Sequence, residues 1–229
     1  MVTENKLHFF FKNQIRKQNE LNKNNETLIE KLKIQGIMEN NILRAMKKVP
    51  REFFVEHQFI QHAYENIPLP IDCEQTISQP YVVAFMISCL NLKNTDNVLE
   101  IGTGTGYQTA ILSHLCRSVY TIEIHKKLLD KAKTNIAKLN LNNINFALGN
   151  GAKGWKNNVL FNAIIICAAS ETVPTKLLES LKNQGHLIIP KKDSSENQRL
   201  LLIKKNNEHY TKKELFGVKF VPLLNKNIE

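Results

Sequence analysis

The chain has 229 residues, of which 42% are hydrophobic and 23% charged, and its 31 Lys and Arg against 21 Asp and Glu give a net charge of +10. This balance is typical of a globular domain and excludes a disordered chain, a collagen-like repeat and a small disulfide scaffold. The positive charge is compatible with a nucleic-acid partner, so this possibility stays open. The chain has 26 Lys but 5 Arg, however, and base recognition favours the bidentate fork of Arg.

The four cysteines form no CxxC pair and have no His at metal-ligand spacing, which predicts reduced thiols and no metal. The first residues hold no apolar run long enough for a signal peptide or a membrane span. We therefore expect a cytoplasmic protein with no membrane partner.

The front of the chain is expected to be helical. Residues 1–27 are polar and predict an extension, either a frayed helix or a loose tail, before a single domain at 28–229. Apolar residues recur at helical spacing from Leu28 to Met46, and Gly36 divides the pattern into two helices. The prolines at 68 and 70 then favour an extended segment. Within the domain we expect a helical lead-in over 28–73 and a catalytic core over 74–229.

Beyond the lead-in, strands and helices alternate. Strands are predicted at 98–101, 118–122, 144–148, 163–167, 185–190, 200–203 and 219–221, and helices at 107–115, 128–136 and 174–181. The strand at 163–167 is apolar throughout, which is typical of a central strand buried on both faces. The alternation predicts an α/β fold with a doubly wound, mostly parallel sheet, added N-terminal helices and added C-terminal strands.

A glycine-rich turn, EIGTGTGY at residues 100–107, follows the first predicted core strand. Glycines at such a turn allow positive φ and let a ligand approach the backbone closely. The spacing is GxGxG, and Tyr107 stands where the dinucleotide fingerprint GxGxxG has its last Gly. The phosphate loop GxxxxGK[ST] is absent as well, so the pattern favours a nucleoside ligand without phosphates.

This turn resembles motif I of the class I S-adenosylmethionine-dependent methyltransferases. The resemblance implies that Glu100 lies near the methionine moiety of the cofactor and that the glycine loop wraps around it. It further implies that Glu123, at the end of the next strand, accepts hydrogen bonds from the ribose hydroxyls. The cofactor residues expected here are Glu100, Gly102, Thr103, Gly104, Gly106 and Glu123.

Five further segments narrow the family. They are VPREF at 49–53, LPI at 69–71, QTISQPY at 75–81, FNAIIICAA at 161–169 and FVPL at 220–223. In this order they resemble the protein-L-isoaspartate O-methyltransferase family, over about residues 28 to 224. The resemblance implies methylation of the free carboxylate of L-isoaspartyl or D-aspartyl residues in damaged proteins, which initiates their repair, by a monomer that uses S-adenosylmethionine and no metal.

The same resemblance assigns further site residues. It makes Ser78 the catalytic or substrate-orienting hydroxyl and places Gln75, Thr76, Ile77 and Ser78 against the cofactor. Ala168, Ala169, Val221 and Pro222 are expected to border the peptide groove. Asn150 and Gly151 match the adenine-binding Gly-Asp-Gly of the family with Asn in place of Asp, and Asn162 replaces another common Asp. We expect Asn150 to keep an acceptor for the adenine amino group but to weaken cofactor binding through the lost charge.

Two alternative functions stay open. The charge of +10 would suit an RNA or other nucleic-acid methyltransferase, but the position that holds a flipped base in such enzymes is occupied by the small residues Ala168 and Ala169. The Asn residues at 150 and 162 would suit a diverged, non-catalytic member of the fold. We expect no nucleic acid as substrate.

Overall fold

The computed structural model describes the backbone of residues 2–225 and the side chains of residues 15–225. The α-helices of this part of the chain are α1 (Val2–Ile34), α2 (Asn40–Lys48), α3 (Pro80–Ser88), α4 (Tyr107–Ser113), α5 (Lys126–Ala137) and α6 (Thr175–Glu179). Short 3-10 helices lie at Arg51–Phe53, His57–His62 and Gly151–Lys153.

Two short strands form a small antiparallel pair, and seven strands form the main sheet. In chain order they are β1 (Leu69–Pro70), β2 (Thr76–Ile77), β3 (Asn97–Ile101), β4 (Ser118–Glu123), β5 (Ile144–Leu148), β6 (Phe161–Ile166), β7 (Leu181–Lys192), β8 (Gln198–Asn206) and β9 (His209–Val218). The main sheet has the order β5-β4-β3-β6-β7-β8-β9. Strands β3 to β7 are parallel, and β8 and β9 join antiparallel. The predicted α/β class, with added C-terminal strands, is confirmed.

The sheet is buried on both faces. Along β6, Ala163 and Ile165 belong to the apolar cluster that α1 to α5 cover, whereas Ile164 and Ile166 belong to a second cluster under α6. Successive side chains of a strand point to opposite faces, so an all-apolar β6 fills both cores. Burying a Leu or Ile side chain contributes about 1.5–3 kcal/mol, which makes these two clusters the main support of the sheet edge that carries the site.

The first helix begins much earlier than the apolar pattern indicates. Helix α1 runs from Val2 without a break at residue 27. Asn25 is already buried, and its amide donates to the carbonyl of Lys47 at 3.0 Å. This bond satisfies a carbonyl at the C-terminal end of α2, where the helix itself supplies no partner. The polar segment is therefore helical, and its last residues help to fix the lead-in.

The predicted strand at 219–221 is wrong. Strand β9 spans His209–Val218 and ends before it. The backbone N–H of Phe220 donates to the side-chain carbonyl of Gln198 at 2.6 Å, and the Gln198 amide donates back to the Phe220 carbonyl at 3.1 Å. Because the Gln198 side chain, and not the backbone of β8, binds the Phe220 backbone, the chain leaves the sheet after β9. It then turns toward the end of β6, where Val221 accepts the N–H of Ala169.

Candidate active site

A cleft opens where the strand order reverses. Strand β3 lies between β4 and β6, so the connections after β3 and after β6 diverge at the carboxyl edge of the sheet. Ligands of open α/β sheets bind in the crevice at this point. The glycine loop after β3 and residues 167–168 after β6 form its floor, and segment 75–78 forms another wall.

The glycine loop has the backbone geometry that its sequence predicts. Gly102, Gly104 and Gly106 have φ values of +95°, +56° and +95°, which side chains with a Cβ adopt rarely. A Cβ on Gly106 would also lie 2.9 Å from Ile136 Cδ1 and 3.2 Å from Ala132 Cβ in α5. Glycine at 106 therefore lets α4 begin directly against α5.

Glu123 joins two loops across the cleft. One carboxylate oxygen accepts the backbone N–H groups of Ile124 and His125 at 2.8 and 2.9 Å, and the other accepts the N–H of Gly104 at 2.8 Å. The residue is 4% exposed and lines the cleft. Its second oxygen has a free lone pair available to a ligand hydroxyl, and its binding to ribose stays a prediction.

Glu100 lies beneath the loop and does not reach the surface of the cleft. It is 0% exposed and accepts hydrogen bonds from the side chains of Gln108 at 2.9 Å, Thr109 at 2.5 Å and Thr121 at 2.7 Å. Burial raises the pKa of Glu100 to about 7, against the lowering effect of these three hydrogen bonds and with a smaller raising effect from the Glu123 charge. The acid thus ties α4 to β3 and β4 and places a titratable charge under the ligand.

Two polar contacts extend this network to the cleft. The Thr103 hydroxyl lies 2.7 Å from the Thr121 hydroxyl, which itself donates to Glu100. The Gln108 amide, which donates to Glu100, also lies 2.9 Å from the Cys167 sulfur. Burial raises the pKa of the Cys167 thiol well above its usual range, so the sulfur stays protonated and serves as packing.

Segment 75–78 covers the cleft. Gln75, Thr76, Ile77 and Ser78 all line it, and their contact with a cofactor stays a prediction. The segment follows a tight turn in which Cys73 and Glu74 have φ values of +59° and +58°. Asp72, just before the turn, contacts Lys127 at 2.5 Å and Lys131 at 3.2 Å, so α5 holds the turn from the other side.

Asn150 lies outside the lining of the cleft, whereas its neighbour Gly151 belongs to it. The Asn150 carbonyl accepts the N–H of Ala152 at 2.9 Å, and its amide donates to Asn225 at 2.8 Å. A Cβ on Gly151 would come within 2.2 Å of an Ile101 methyl, so the chain here lies directly on the sheet. Asn150 therefore shapes this turn and connects it to Asn225. Asn162 lies at the start of β6, away from the carboxyl edge, and accepts the N–H of Asn97 at 3.0 Å.

The four residues expected at a peptide groove lie together beside the cleft. Ala169 donates its N–H to the Val221 carbonyl at 2.8 Å and accepts the N–H of Leu223 at 2.7 Å. Ala168, Val221 and Pro222 line the lobe of the cleft next to Gly149 and Gly151. Ala168, Val221 and Pro222 therefore border the cleft, and none of the four expected residues lines the larger groove described next.

A larger groove, of about 1120 Å³, lies on the other side of segment 75–78. Tyr81, Phe216 and Phe220 line it with the turn between β7 and β8. The ring centroids of Tyr81 and Phe216 are 6.0 Å apart. Sequence reasoning missed this groove because its walls come from α3, β9 and the turn at 193–197, and no local motif joins them.

Thr76 and Ser78 line both the groove and the cleft. Within residues 15–225 no hydrogen bond engages the Ser78 hydroxyl, whereas the Ser78 carbonyl accepts a hydrogen bond from Arg51 at 3.2 Å. The hydroxyl is therefore available where the two cavities meet.

The cleft has polar groups suited to a cofactor. Thr105 lines it, and the buried Thr105 hydroxyl has no hydrogen-bond partner within the described chain. Such an orphaned group is costly unless a ligand satisfies it. Among the described residues, no cluster of three His, Cys, Asp or Glu side chains has the geometry to hold a metal ion. No helix in this part of the chain is long and apolar enough to cross a bilayer.

Comparison with known proteins agrees with this geometry. Residues 22–228 match the family model described as Protein-L-isoaspartate(D-aspartate) O-methyltransferase. A protein-L-isoaspartate O-methyltransferase of Parvibaculum lavamentivorans is 44% identical over 86% of this chain and 90% of its own length. One of Dictyoglomus turgidum is 46% identical over 86% of this chain and 90% of its own.

Two solved structures resemble the whole fold. One protein-L-isoaspartate O-methyltransferase superposes with a TM-score of 0.80 at 29% identity and covers 86% of this chain and 65% of its own. Another, described as a protein-L-isoaspartate O-methyltransferase from Plasmodium falciparum in complex with S-adenosyl-L-homocysteine, superposes with a TM-score of 0.78 at 27% identity. It covers 87% of this chain and 98% of that one.

Proposed function

The chain belongs to the protein-L-isoaspartate(D-aspartate) O-methyltransferase family, and on this premise we propose how its cleft and groove divide the reaction. The enzyme transfers a methyl group from S-adenosylmethionine to the free carboxylate of L-isoaspartyl or D-aspartyl residues. The cleft at the glycine loop binds the cofactor, and the groove of about 1120 Å³ binds the damaged peptide.

The residues of the cleft fit this cofactor. S-adenosylmethionine supplies an electrophilic methyl group on a positively charged sulfonium. The Glu123 carboxylate would bind the ribose hydroxyls, and Thr105 lines the cleft beside it. Glu100, buried directly below the loop with a pKa of about 7, ionises more readily when a cation binds above it. Gly102, Gly104 and Gly106 let the ligand approach the backbone.

The observation that carries the proposal is the position of Ser78, which lines both cavities. A reaction that joins atoms from two ligands requires one place where both are in contact. Ser78, with a hydroxyl that makes no hydrogen bond within the described chain, lies at that place. We therefore assign it to the peptide carboxylate.

The chemistry requires alignment more than proton transfer. A carboxyl group with a pKa of about 4 is ionised at neutral pH, so the nucleophile needs no general base. The chain has to hold the carboxylate in line with the methyl group and exclude water, and such positioning is worth about 7–11 kcal/mol in favourable cases. The Ser78 hydroxyl donates one hydrogen bond to the carboxylate and fixes its direction.

A hydroxyl suits this task better than a cation. The charge of the carboxylate disappears as the ester forms, so an Arg at this position would stabilise the ground state more than the transition state. The groove is consistent with this, because Arg199 and Lys219 in its lining are matched by Asp193 and Glu196. The binding site thus holds the peptide without a concentrated positive charge at the reacting oxygen.

The test compares three substrates with labelled S-adenosylmethionine: an isoaspartyl peptide, the same peptide with normal aspartate, and RNA. We expect base-labile methyl esters on the isoaspartyl peptide alone. Stable label on RNA would support a nucleic-acid methyltransferase instead, and cofactor binding without transfer would support a non-catalytic protein. The absence of nucleic-acid substrates, the monomeric state and the cytoplasmic location stay predictions.

Substitution of the serine tests its role. Ser78→Ala is expected to lower kcat about 10- to 100-fold, the range that loss of alignment produces, while the Kd of S-adenosylhomocysteine stays within about twofold. Ser88→Ala is the matched control, because Ser88 lies at the end of α3 and donates to the Phe85 carbonyl. Full turnover by Ser78→Ala would remove Ser78 from the mechanism.

A further inference from the structure

Arg51 is a fully buried cation. It lies in the segment VPREF at 49–53, is 0% exposed, and within residues 15–225 no carboxylate forms an ion pair with it. Burial lowers its pKa, but a guanidinium keeps its proton in proteins. Because an uncompensated buried charge is costly, its place in the fold needs a specific reason.

Backbone carbonyls from four positions surround the guanidinium. Nη1 donates to the carbonyls of Ala63 at 2.6 Å and Glu65 at 3.4 Å, whereas Nη2 donates to those of Ile67 at 3.1 Å and Ser78 at 3.2 Å. The first three lie in the irregular lead-in, where neither a helix nor the main sheet supplies donors for them. The fourth belongs to the residue assigned to the substrate carboxylate.

The guanidinium also contacts the start of the glycine-loop helix. Its central carbon lies 5.6 Å from the ring centroid of Tyr107, within the range of a cation–π interaction. Tyr107 follows Gly106 directly and lines the cleft. One planar group therefore joins the lead-in, the Ser78 backbone and the cofactor loop.

We propose that Arg51 is a positioning residue for methyl transfer, which holds the Ser78 backbone in register with the glycine loop. This inference rests on the proposed function of Ser78. The rigid fork of Arg reaches carbonyls on both of its terminal nitrogens at once, whereas the single ammonium of Lys is a point donor on a flexible stem. Arg51→Lys therefore keeps the charge and loses the connection between the lead-in and Ser78.

The test is a double-mutant cycle in kcat with an isoaspartyl peptide, built from Arg51→Lys and Ser78→Ala. The activity of the wild type toward this peptide is established first, so that a failed cycle counts against Arg51 and not against the proposed function. Arg51→Lys is expected to lower kcat at least about tenfold with the Kd of S-adenosylhomocysteine within about twofold. In the Ser78→Ala background the same change is expected to cost less than about threefold, because the group that Arg51 positions is already absent.

A purely structural role for Arg51 predicts different results. Leu181→Ala is the control for stability, since Leu181 is fully buried at the opposite end of the sheet beside Phe161. The inference is wrong if Leu181→Ala, at the same loss of Tm, lowers kcat as much as Arg51→Lys does. It is also wrong if the fold-loss of kcat in the double variant equals the product of the two single losses. Should Arg51→Lys not fold, Arg51→Gln, which removes the buried charge and keeps a planar N–H donor group, takes its place in the cycle with the same expected outcomes.

Discussion

Glu100 is expected to make the stability of the protein depend on pH. The carboxyl group is fully buried, and its pKa is about 7 in the folded protein against an ordinary value of 4.5. A raised pKa means that folding opposes ionisation of this acid. The folded state therefore loses stability as the pH rises from about 4.5 to 7, and the loss is constant above that range.

The size of the effect follows from the two pKa values. Each pKa unit corresponds to about 1.36 kcal/mol, so the difference between 4.5 and about 7 amounts to about 3 kcal/mol once Glu100 is fully ionised. Between pH 5 and pH 8, the part of the titration curve that experiments reach easily, the expected change is about 2–3 kcal/mol. Glu100→Gln removes the titration but keeps the shape of the side chain. Its altered hydrogen bonds with Thr109 and Thr121 add an offset that does not depend on pH.

The assay is urea unfolding of cofactor-free protein at pH 5, 6, 7 and 8. Comparison with Glu100→Gln cancels the histidines and all other titrating groups. We expect the wild type to lose about 2–3 kcal/mol relative to the variant from pH 5 to 8. Glu20→Gln, on the exposed surface of α1, is the matched charge control. If the difference in unfolding free energy between the wild type and Glu100→Gln stays constant from pH 5 to 8, the reasoning is refuted.

Two further predictions concern the loops around the cofactor. Gly106→Ala is expected to cost about 2–4 kcal/mol of unfolding free energy, because it combines a φ of +95° with a 2.9 Å approach to Ile136. Gly104→Ala, at φ +56° with its nearest neighbour 3.7 Å away, is expected to cost about 1–2 kcal/mol; equal costs in urea unfolding would contradict the steric argument. Asn150→Asp is expected to leave the Kd of S-adenosylmethionine within about twofold, because the Asn150 side chain lies outside the lining of the cleft and binds Ala152 and Asn225; a Kd about fivefold tighter in calorimetry would contradict this and support the adenine contact expected from the sequence.

The cofactor half of the site could be predicted from the sequence because local backbone geometry determines it. The glycines at 102, 104 and 106 all have positive φ, and Glu123 lies on the lining of the cleft. Strand ends of a parallel sheet meet at one edge, so residues that follow β3 and β4 are necessarily neighbours. Glu100 lies in the strand where it was expected, but it does not reach the cleft. Three hydrogen-bond donors of the chain itself surround its carboxylate below the cleft.

The peptide half could not be predicted in the same way. The groove brings Tyr81 against Phe216 and the turn at 193–197, both of which lie more than a hundred residues further along the chain. Strand β9 has three charged residues in a row, Lys212 to Glu214, and is mostly exposed, so its period-two pattern is weak. The strand expected at 219–221 fails because Gln198 binds the Phe220 backbone with its side chain, an interaction that no pattern of apolar residues indicates.

The net charge of +10 belongs to the surface of the molecule and not to its site. The cleft has Glu123 in its lining and Glu100 beneath it, so the region around the cationic cofactor is acidic. In the groove, two acidic and two basic side chains balance each other. Exposed lysines such as Lys212 and Lys213 lie on β9 instead. Since interactions between exposed charges fade beyond a Debye length of about 8 Å at physiological salt, the local sign at the cleft decides binding. A positive protein can therefore hold a positive cofactor, and the excess of Lys over Arg is a property of composition.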